Sequence, residues 1–487
     1  MPKFALFPKS RSQRPDVRSM YLVGVDGVPV RGDIRYADDV IVCETHTPEA
    51  LGLSLLWEIE GFGRVQLETT RLPPRDEPYN LHAELARHRL MRISTKREEW
   101  GLYDYPGMNE VAARIDAARD RFVQSLAALS EPERAARLAD EALAESLWAS
   151  EELCGYHAAI FLGRRQSAGG LSKGVLGATV PATLPERAVG KALAKVFDFV
   201  RVPLPWREIQ PEEKEVAYDA VDACLKRCAA AGLPVRGGPL LNFGVQFVPD
   251  WMFAWESDYE AIASFAREHV RRTVQRYASQ IGSWIVASGL HADNVFPFNF
   301  EQIMDMTRLA VNTTRQAAPR AHIVLDLVQP WGEYYARNQR SIPPLLYAEM
   351  AQQSGIAFDA FGVQFLFGID AEGYQVRDFM QVSSLIDRLA GLGKPLHITA
   401  VAVPSTKQVG GAWRRPWSEE TQAEWLTTFG TIALSKPYVE SVCLCGLTDS
   451  ACAGVPSGGV LRDDLSAKLS FEKLAEWRRS SAAGSRI

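Results

Sequence analysis

Apolar positions change rhythm twice along the chain, and each rhythm predicts a different layer of structure. From about residue 3 to residue 75 they fall in short strand-like runs. Tyr21-Leu22-Val23-Gly24-Val25 enters an Asp26-Gly27 turn and leaves as Val28-Pro29-Val30-Arg31. Residues 40–43, 53–57 and 64–70 continue the pattern, the last after a Gly61-Phe62-Gly63 turn. Strands so short and closely spaced predict a small β-sandwich over residues 1–78, ending after Pro73-Pro74. Over residues 79–168 the period becomes helical, with Leu81, Leu85, Leu90 and Ile93 in one stretch and Ala112, Ile115, Ala118 and Val123 in the next. Ser130-Glu131-Pro132-Glu133 predicts a third helix start, with Ser130 as cap and Glu133 completing a capping box. Together these stretches predict a helical arm packed on the rest of the protein.

Beyond Gln166-Ser167-Ala168-Gly169-Gly170 the two rhythms alternate. Strand candidates lie at residues 175–180, 199–203, 235–242, 284–288, 323–328, 360–365, 396–403 and 439–447. Helical patterns at 185–196, 213–231, 259–280, 300–317, 343–353, 378–389 and 419–435 separate them, and one at 467–478 closes the series. Eight strand-helix repeats over residues 169–487 predict an α/β fold, a (β/α)8 TIM barrel. A doubly wound open sheet is disfavoured, because no Gly-rich phosphate fingerprint follows any strand.

Composition narrows the functional classes. At 487 residues with 47% hydrophobic content, the chain has material for a large core and more than one unit. A net charge of -5 gives no electrostatic reason to expect a nucleic-acid partner. No run has the length of a membrane span, and the first residues lack the apolar core of a secretory signal, so the expectation is a cytoplasmic protein. Seven scattered cysteines do not form a disulfide framework. Cys443, Cys445 and Cys452 could supply three thiolates to zinc, but no fourth ligand stands at a recognisable spacing. Cys224 and Cys228 read as small core residues, and His291 and His397 have no flanking metal or nucleophile pattern. No metal and no cofactor is expected.

Several strand ends resemble those of glycoside hydrolase family 10, the xylanase family. Phe197-Asp198-Phe199-Val200 with Trp206 and Gln210-Pro211-Glu212 resembles the second-strand stretch of that family. Val235-Arg236-Gly237-Gly238-Pro239-Leu240 is similar to V-R-G-H-T-L, and Pro249-Asp250-Trp251 follows where the family has P-x-W. Trp284-Ile285-Val286-Ala287-Ser288-Gly289 lies where W-D-V-V-N-E belongs. Phe358-Asp359-Ala360-Phe361-Gly362-Val363-Gln364 matches I-D-G-I-G-x-Q. Residues 394–402 lie over K-P-x-x-I-T-E-L-D, and Cys445-Gly446-Leu447-Thr448-Asp449 resembles W-G-x-x-D. The resemblance covers the barrel, in order and in register.

The departures fall on the chemistry that the resemblance implies. A retaining glycosidase holds an acid/base and a nucleophilic carboxyl about 5 Å apart. The acid/base position is Gly289 and the nucleophile position is Ala400. The sugar-binding Asn becomes Ser288, the motif histidines become Gly238, Phe243 and Leu366, and a Lys becomes Pro205. Framework positions persist while polar subsite positions are lost, which predicts a repurposed barrel. Other acidic residues near strand ends, namely Glu208, Asp293, Asp326, Glu333 and Asp449, are the candidates for a rebuilt acid/base couple. Asp326 stands in an otherwise apolar strand, so its carboxylate must be paired or face the barrel mouth.

Aromatic residues follow several strands, where barrel loops form the functional face: Trp206, Trp251, Trp255, Trp331, Tyr334, Tyr335, Trp413 and Trp417. With Gln364 they predict a groove for a poly- or oligosaccharide, by stacking on sugar faces. Three readings stand at this point. They are a glycan-binding barrel without the family hydrolysis machinery, a carbohydrate-processing hydrolase with relocated carboxylates, and an assembly protein that forms an oligomer through its N-terminal module and helical arm.

Overall fold

The computed structural model describes residues 2–7, 14–45, 47–103, 107–169, 171, 174–183, 193–452 and 454–483. Eight parallel strands close into a barrel: β1 (Leu176–Thr179), β2 (Phe199–Val202), β3 (Val235–Gly237), β4 (Ile281–Ser288), β5 (His322–Leu327), β6 (Ala360–Leu366), β7 (Leu396–Ala402) and β8 (Val439–Leu444). Each strand pairs with its sequence neighbours, and β8 closes on β1 through Val442 opposite Leu176. The fold is therefore a (β/α)8 barrel with additional sheets before it.

β3 is shorter than its apolar run, because Pro239 has no N–H to give to a ladder. Pairing with β4 resumes beyond it, where Leu240 N donates to Ile285 O at 2.9 Å. The helix expected at residues 185–196 falls mostly outside the described residues, which hold only a short turn at Leu193–Lys195.

Ahead of the barrel lie two sheets and three helices. A four-stranded sheet orders as Asp33–Ala37, Val40–Glu44, Lys3–Ala5 and Tyr79–Asn80. A five-stranded sheet orders as Ala412–Trp413, Gly63–Glu68, Gly52–Ile59, Tyr21–Val23 and Pro29–Val30. The N-terminal run does not make the five-stranded sheet alone: Ala412–Trp413 belongs to the loop after β7, and it pairs antiparallel with Arg64 and Gly63. Gly411 (φ +117°) permits this approach, since a Cβ there would stand 2.7 Å from Arg64 O.

Helices α1 (Leu81–Glu99), α2 (Asn109–Ala127) and α3 (Pro132–Ser167) pack together. α3 begins at Pro132 and receives no side-chain cap, so Ser130 does not cap it. A proline at the first helical position has its φ already set and needs no partner for an N–H. α3 then lies along the barrel helices Glu419–Ser435 and Phe379–Ala390. One continuous apolar cluster runs from Phe4 through the arm and the barrel to Leu474.

Buried polar contacts fasten this seam. Arg89 of α1 grips Asp378 with both guanidinium nitrogens. Asp378 also caps the helix Phe379–Ala390 by accepting from Met380 N and Gln381 N. Glu151 of α3 has no exposed side-chain surface and accepts from Phe379 N at 2.8 Å and Trp413 Nε1 at 3.0 Å. Burial pushes its carboxyl up to about 7 from an ordinary 4.5. Because the folded chain holds this proton more tightly than the unfolded chain, the stability it contributes is full below pH 4.5 and is lost as pH rises through 7. Glu151→Gln has no such proton, so between pH 5 and pH 8 the wild type should lose about 2–3 kcal/mol relative to the variant. Urea unfolding of both proteins across that range checks this, and parallel stability-pH curves would contradict it.

Candidate active site

The C-terminal ends of the barrel strands hold a buried polar network centred on Asp326 of β5, which is 2% exposed. Its Oδ2 accepts from Ser288 Oγ at 2.6 Å and from Gln364 Nε2 at 2.6 Å, and its Oδ1 accepts from Thr399 Oγ1. These donors come from β4, β6 and β7, so the carboxylate joins strands across the interior. Gly362 makes room for it: a Cβ at 362 would lie 2.5 Å from Asp326 Oδ1. The carboxylate thus ends in three donors.

Gly289 follows β4 with φ +71°, and its N–H reaches Asp326 O at 3.3 Å. A Cβ at 289 would meet Val328 Cγ2 at 3.3 Å. Ala400, opposite Gln364, is 2% exposed and packs with Ala402, Cys445, Cys452, Val455, Leu366 and Ile369. The position expected to carry a nucleophile therefore faces an apolar cluster. A small cavity of about 10 Å³ lies beside it, bounded by Val328, Trp331, Gln364, Leu366 and Tyr374 among others.

The other carboxylates are held elsewhere. Glu333 pairs with Arg377 at 2.6 Å, with side-chain exposures of 4% and 1%. Asp449 pairs with Lys468 and accepts from Gly459 N at 3.1 Å. Glu208, on the short helix Trp206–Ile209, and Asp293 are exposed. The structure does not gather these groups around Asp326 by any hydrogen bond among the described residues.

Four of the eight aromatic residues expected to form a rim are core. Trp206 is 2% exposed and stacks on His269, with ring centres 4.7 Å apart. Trp413 and Trp417 are buried, the first donating to Glu151 and the second to Gly411 O. Tyr334 is buried against His291: its Oη stands 2.6 Å from His291 Nδ1 and donates to Ile342 O at 2.8 Å. Burial lowers the His291 pKa to about 3 and keeps the ring neutral, with Nε2 accepting from Val328 N at 3.2 Å. The N-terminal sheets and arm meet the loops after β5, β6 and β7 and bury Trp413 there, whereas Trp206 and Tyr334 are buried on residues of the barrel itself. Trp251, Trp331 and Tyr335 stay half-buried and Trp255 is exposed.

A cleft of about 810 Å³ opens instead along the seam between the N-terminal module, α1 and the helix Phe379–Ala390. Trp331, Thr70, Arg71, His88, Arg92 and Gln381 are among its lining residues. Trp331 carries the Arg377 guanidinium 4.4 Å from its ring centre. None of Thr70, Arg71, His88 or Arg92 belongs to a motif, and sequence reasoning did not single them out.

The model for Glycosyl hydrolase family 10 matches residues 199–453, a little over half of the 487-residue chain. The chain belongs to glycosyl hydrolase family 10. An endo-1,4-beta-xylanase/feruloyl esterase of Xylanibacter ruminicola is 23% identical over 240 residues, 45% of this chain and 32% of the relative. Endo-1,4-beta-xylanase B of Paenibacillus barcinonensis is 28% identical over 132 residues, 26% of this chain and 36% of the relative. The chain thus spans about a third of the length of these curated relatives. The native xylanase 10B of Thermotoga maritima shares the fold at a TM-score of 0.50 and 14% identity, over 66% of this chain and 98% of that one. Gly289 and Ala400 both lie inside the family match.

If Asp326 serves as the acceptor that ties the barrel strands together, its removal leaves three buried donors without a partner. Asp326→Ala should lower stability by about 2–4 kcal/mol, and Asp326→Asn by less, because its Oδ1 can still accept from Thr399. Chemical denaturation measures this, and a loss typical of a surface carboxylate, below about 0.5 kcal/mol, would refute the role.

Proposed function

We propose that this member of family 10 binds a glycan and does not hydrolyse it by the two-carboxylate route. The observation that carries the proposal is the pairing of Gly289, at φ +71°, with Ala400 set in an apolar cluster. A glutamate at 289 would have to adopt a left-handed backbone that costs a non-glycine residue about 1 kcal/mol or more. A glutamate at 400 would place a charge among alanine, cysteine, valine, leucine and isoleucine side chains, where an unpaired carboxylate is strongly disfavoured. Loss of function is therefore written into backbone and packing as well as into two side chains. Relocated carboxylates are a weaker reading, because Asp326, Glu333 and Asp449 already have close partners. The assembly reading is weakened too, because α3 lies against the barrel helices.

For the ligand, the seam cleft has the volume of a small-molecule or oligosaccharide site, within the usual range of about 300–1,000 Å³. Its lining combines one aromatic face with guanidinium and amide donors suited to sugar hydroxyls and uronate carboxylates. The curated relatives bear the name endo-1,4-beta-xylanase, so xylan fragments are the first ligands to try.

Two measurements test the proposal. Calorimetry should detect binding of glucuronic-acid-bearing xylo-oligosaccharides, weakened about tenfold by Arg92→Ala, which removes one charge-assisted hydrogen bond. Reducing-sugar release from xylan should stay at background, and turnover that persists in Asp326→Asn would overturn the reading. The double variant Gly289→Glu/Ala400→Glu should likewise show no xylanase activity and should unfold at a lower temperature than the wild type. Hydrolysis by that variant would mean that side chains alone had been lost.

A further inference from the structure

At the opposite end of the barrel from Asp326, three side chains meet that no local motif connects. His322 opens β5, His397 is the second residue of β7, and Glu440 is the second residue of β8. His322 lies four residues before Asp326 on the same strand, which puts the two about 13 Å apart along it. The Nε2 atoms of His322 and His397 are 3.1 Å apart, and Glu440 Oε2 lies 3.3 Å from His397 Nε2. All three donor atoms fall within 4.8 Å of one another. From this convergence we propose that His322, His397 and Glu440 form a binding site for a divalent transition metal of the zinc type at the N-terminal end of the barrel.

Geometry supports the assignment. Zinc binds imidazole nitrogen and carboxylate oxygen at about 2.0–2.2 Å, so adjacent ligand atoms of a tetrahedral site stand about 3.3–3.5 Å apart. Two of the three edges are already close to that length. The third closes by rotation of Glu440, which is exposed, whereas His397 is buried and His322 half-buried. The exposed carboxylate gives the ion a route from solvent, and the fourth position is left to water. Two imidazoles and one carboxylate select zinc, cobalt or nickel over magnesium or calcium.

A supporting shell is also present. Ser441 Oγ lies 2.8 Å from His397 Nδ1 and accepts from Arg236 Nη1 at 2.7 Å. A second lone pair of Ser441 Oγ is open to the Nδ1 proton, the tautomer that leaves the Nε2 lone pair directed at the site, and Arg236 Nη1 stands 3.4 Å from the same Nδ1. The nearby charges are mixed. Arg236 is held over Phe199, 3.6 Å from the ring centre, while Arg315 is neutralised by Asp359 at 2.8 Å, leaving Glu440 to offset Arg236. A simple hydrogen bond between the two imidazoles accounts for the 3.1 Å contact, but it does not account for the carboxylate or the Ser441 support.

Titration of the full chain with Co2+ tests the site, because a tetrahedral N/O site gives visible d–d absorption. One equivalent should bind, Zn2+ should displace it, and Zn2+ should raise the unfolding midpoint. Glu440→Gln, at an exposed position, should weaken binding about tenfold, and His322→Gln about a hundredfold. If His322→Gln fails to fold, Glu440→Gln alone still decides, read by the same Co2+ titration. No stoichiometric binding, binding unchanged in Glu440→Gln, or a thiolate-to-Co2+ charge-transfer band that moves the ion to cysteine would each overturn the proposal.

Discussion

The dipeptide Arg377-Asp378 joins the two halves of this protein. Arg377, 1% exposed, reaches Glu333 in the loop after β5 and donates to Tyr21 Oη of the N-terminal sheet at 2.7 Å. Asp378 is clasped by Arg89 of the arm and starts the following helix. Two neighbouring residues therefore place opposite charges in the same seam, both buried, each answered by a partner from a different part of the chain. Such pairs give little net stability compared with apolar packing, yet removing one partner from either would leave an uncompensated buried charge. They fix which surfaces meet, and the continuous core supplies the cohesion.

This fixed seam also shapes the C-terminal face of the barrel. With the N-terminal sheets seated on the loops after β5, β6 and β7, the rings of Trp413, Trp417 and Tyr334 serve as packing. Glu333 answers an arginine, and Asp326 serves as a shared acceptor for three strands. At this end of the barrel the Asp326 network and the cluster around Ala400 are both buried. The large open volume lies to the side, in the seam cleft.

Much of the architecture was legible in the sequence because strand and helix periods depend on local burial. All eight barrel strands stand within a few residues of their apolar runs, and β3 departs from its run where Pro239 withholds an N–H. That positions 289 and 400 hold glycine and alanine stands out in the sequence only through register with the family. The aromatic groove was misread, because a ring in a barrel loop looks the same in sequence whether it meets solvent or another layer. Only the partner layer decides, and that layer is separated by hundreds of residues. The His322, His397 and Glu440 convergence was invisible for a related reason: its members start different strands, and only barrel closure brings them together.

The strand Ala412–Trp413 bears on how the protein is made. During synthesis the Gly63-Arg64 end of the five-stranded sheet's edge stays unpaired until residue 413 has left the ribosome, and Gln66 on the same edge waits for Val376 and Gln381. The earliest-made part is thus finished by one of the latest. The completed sheet therefore waits on the barrel, in contrast to the domain-by-domain order usual for long chains. The nascent edge must be shielded in the meantime, because an open strand of this kind recruits foreign partners.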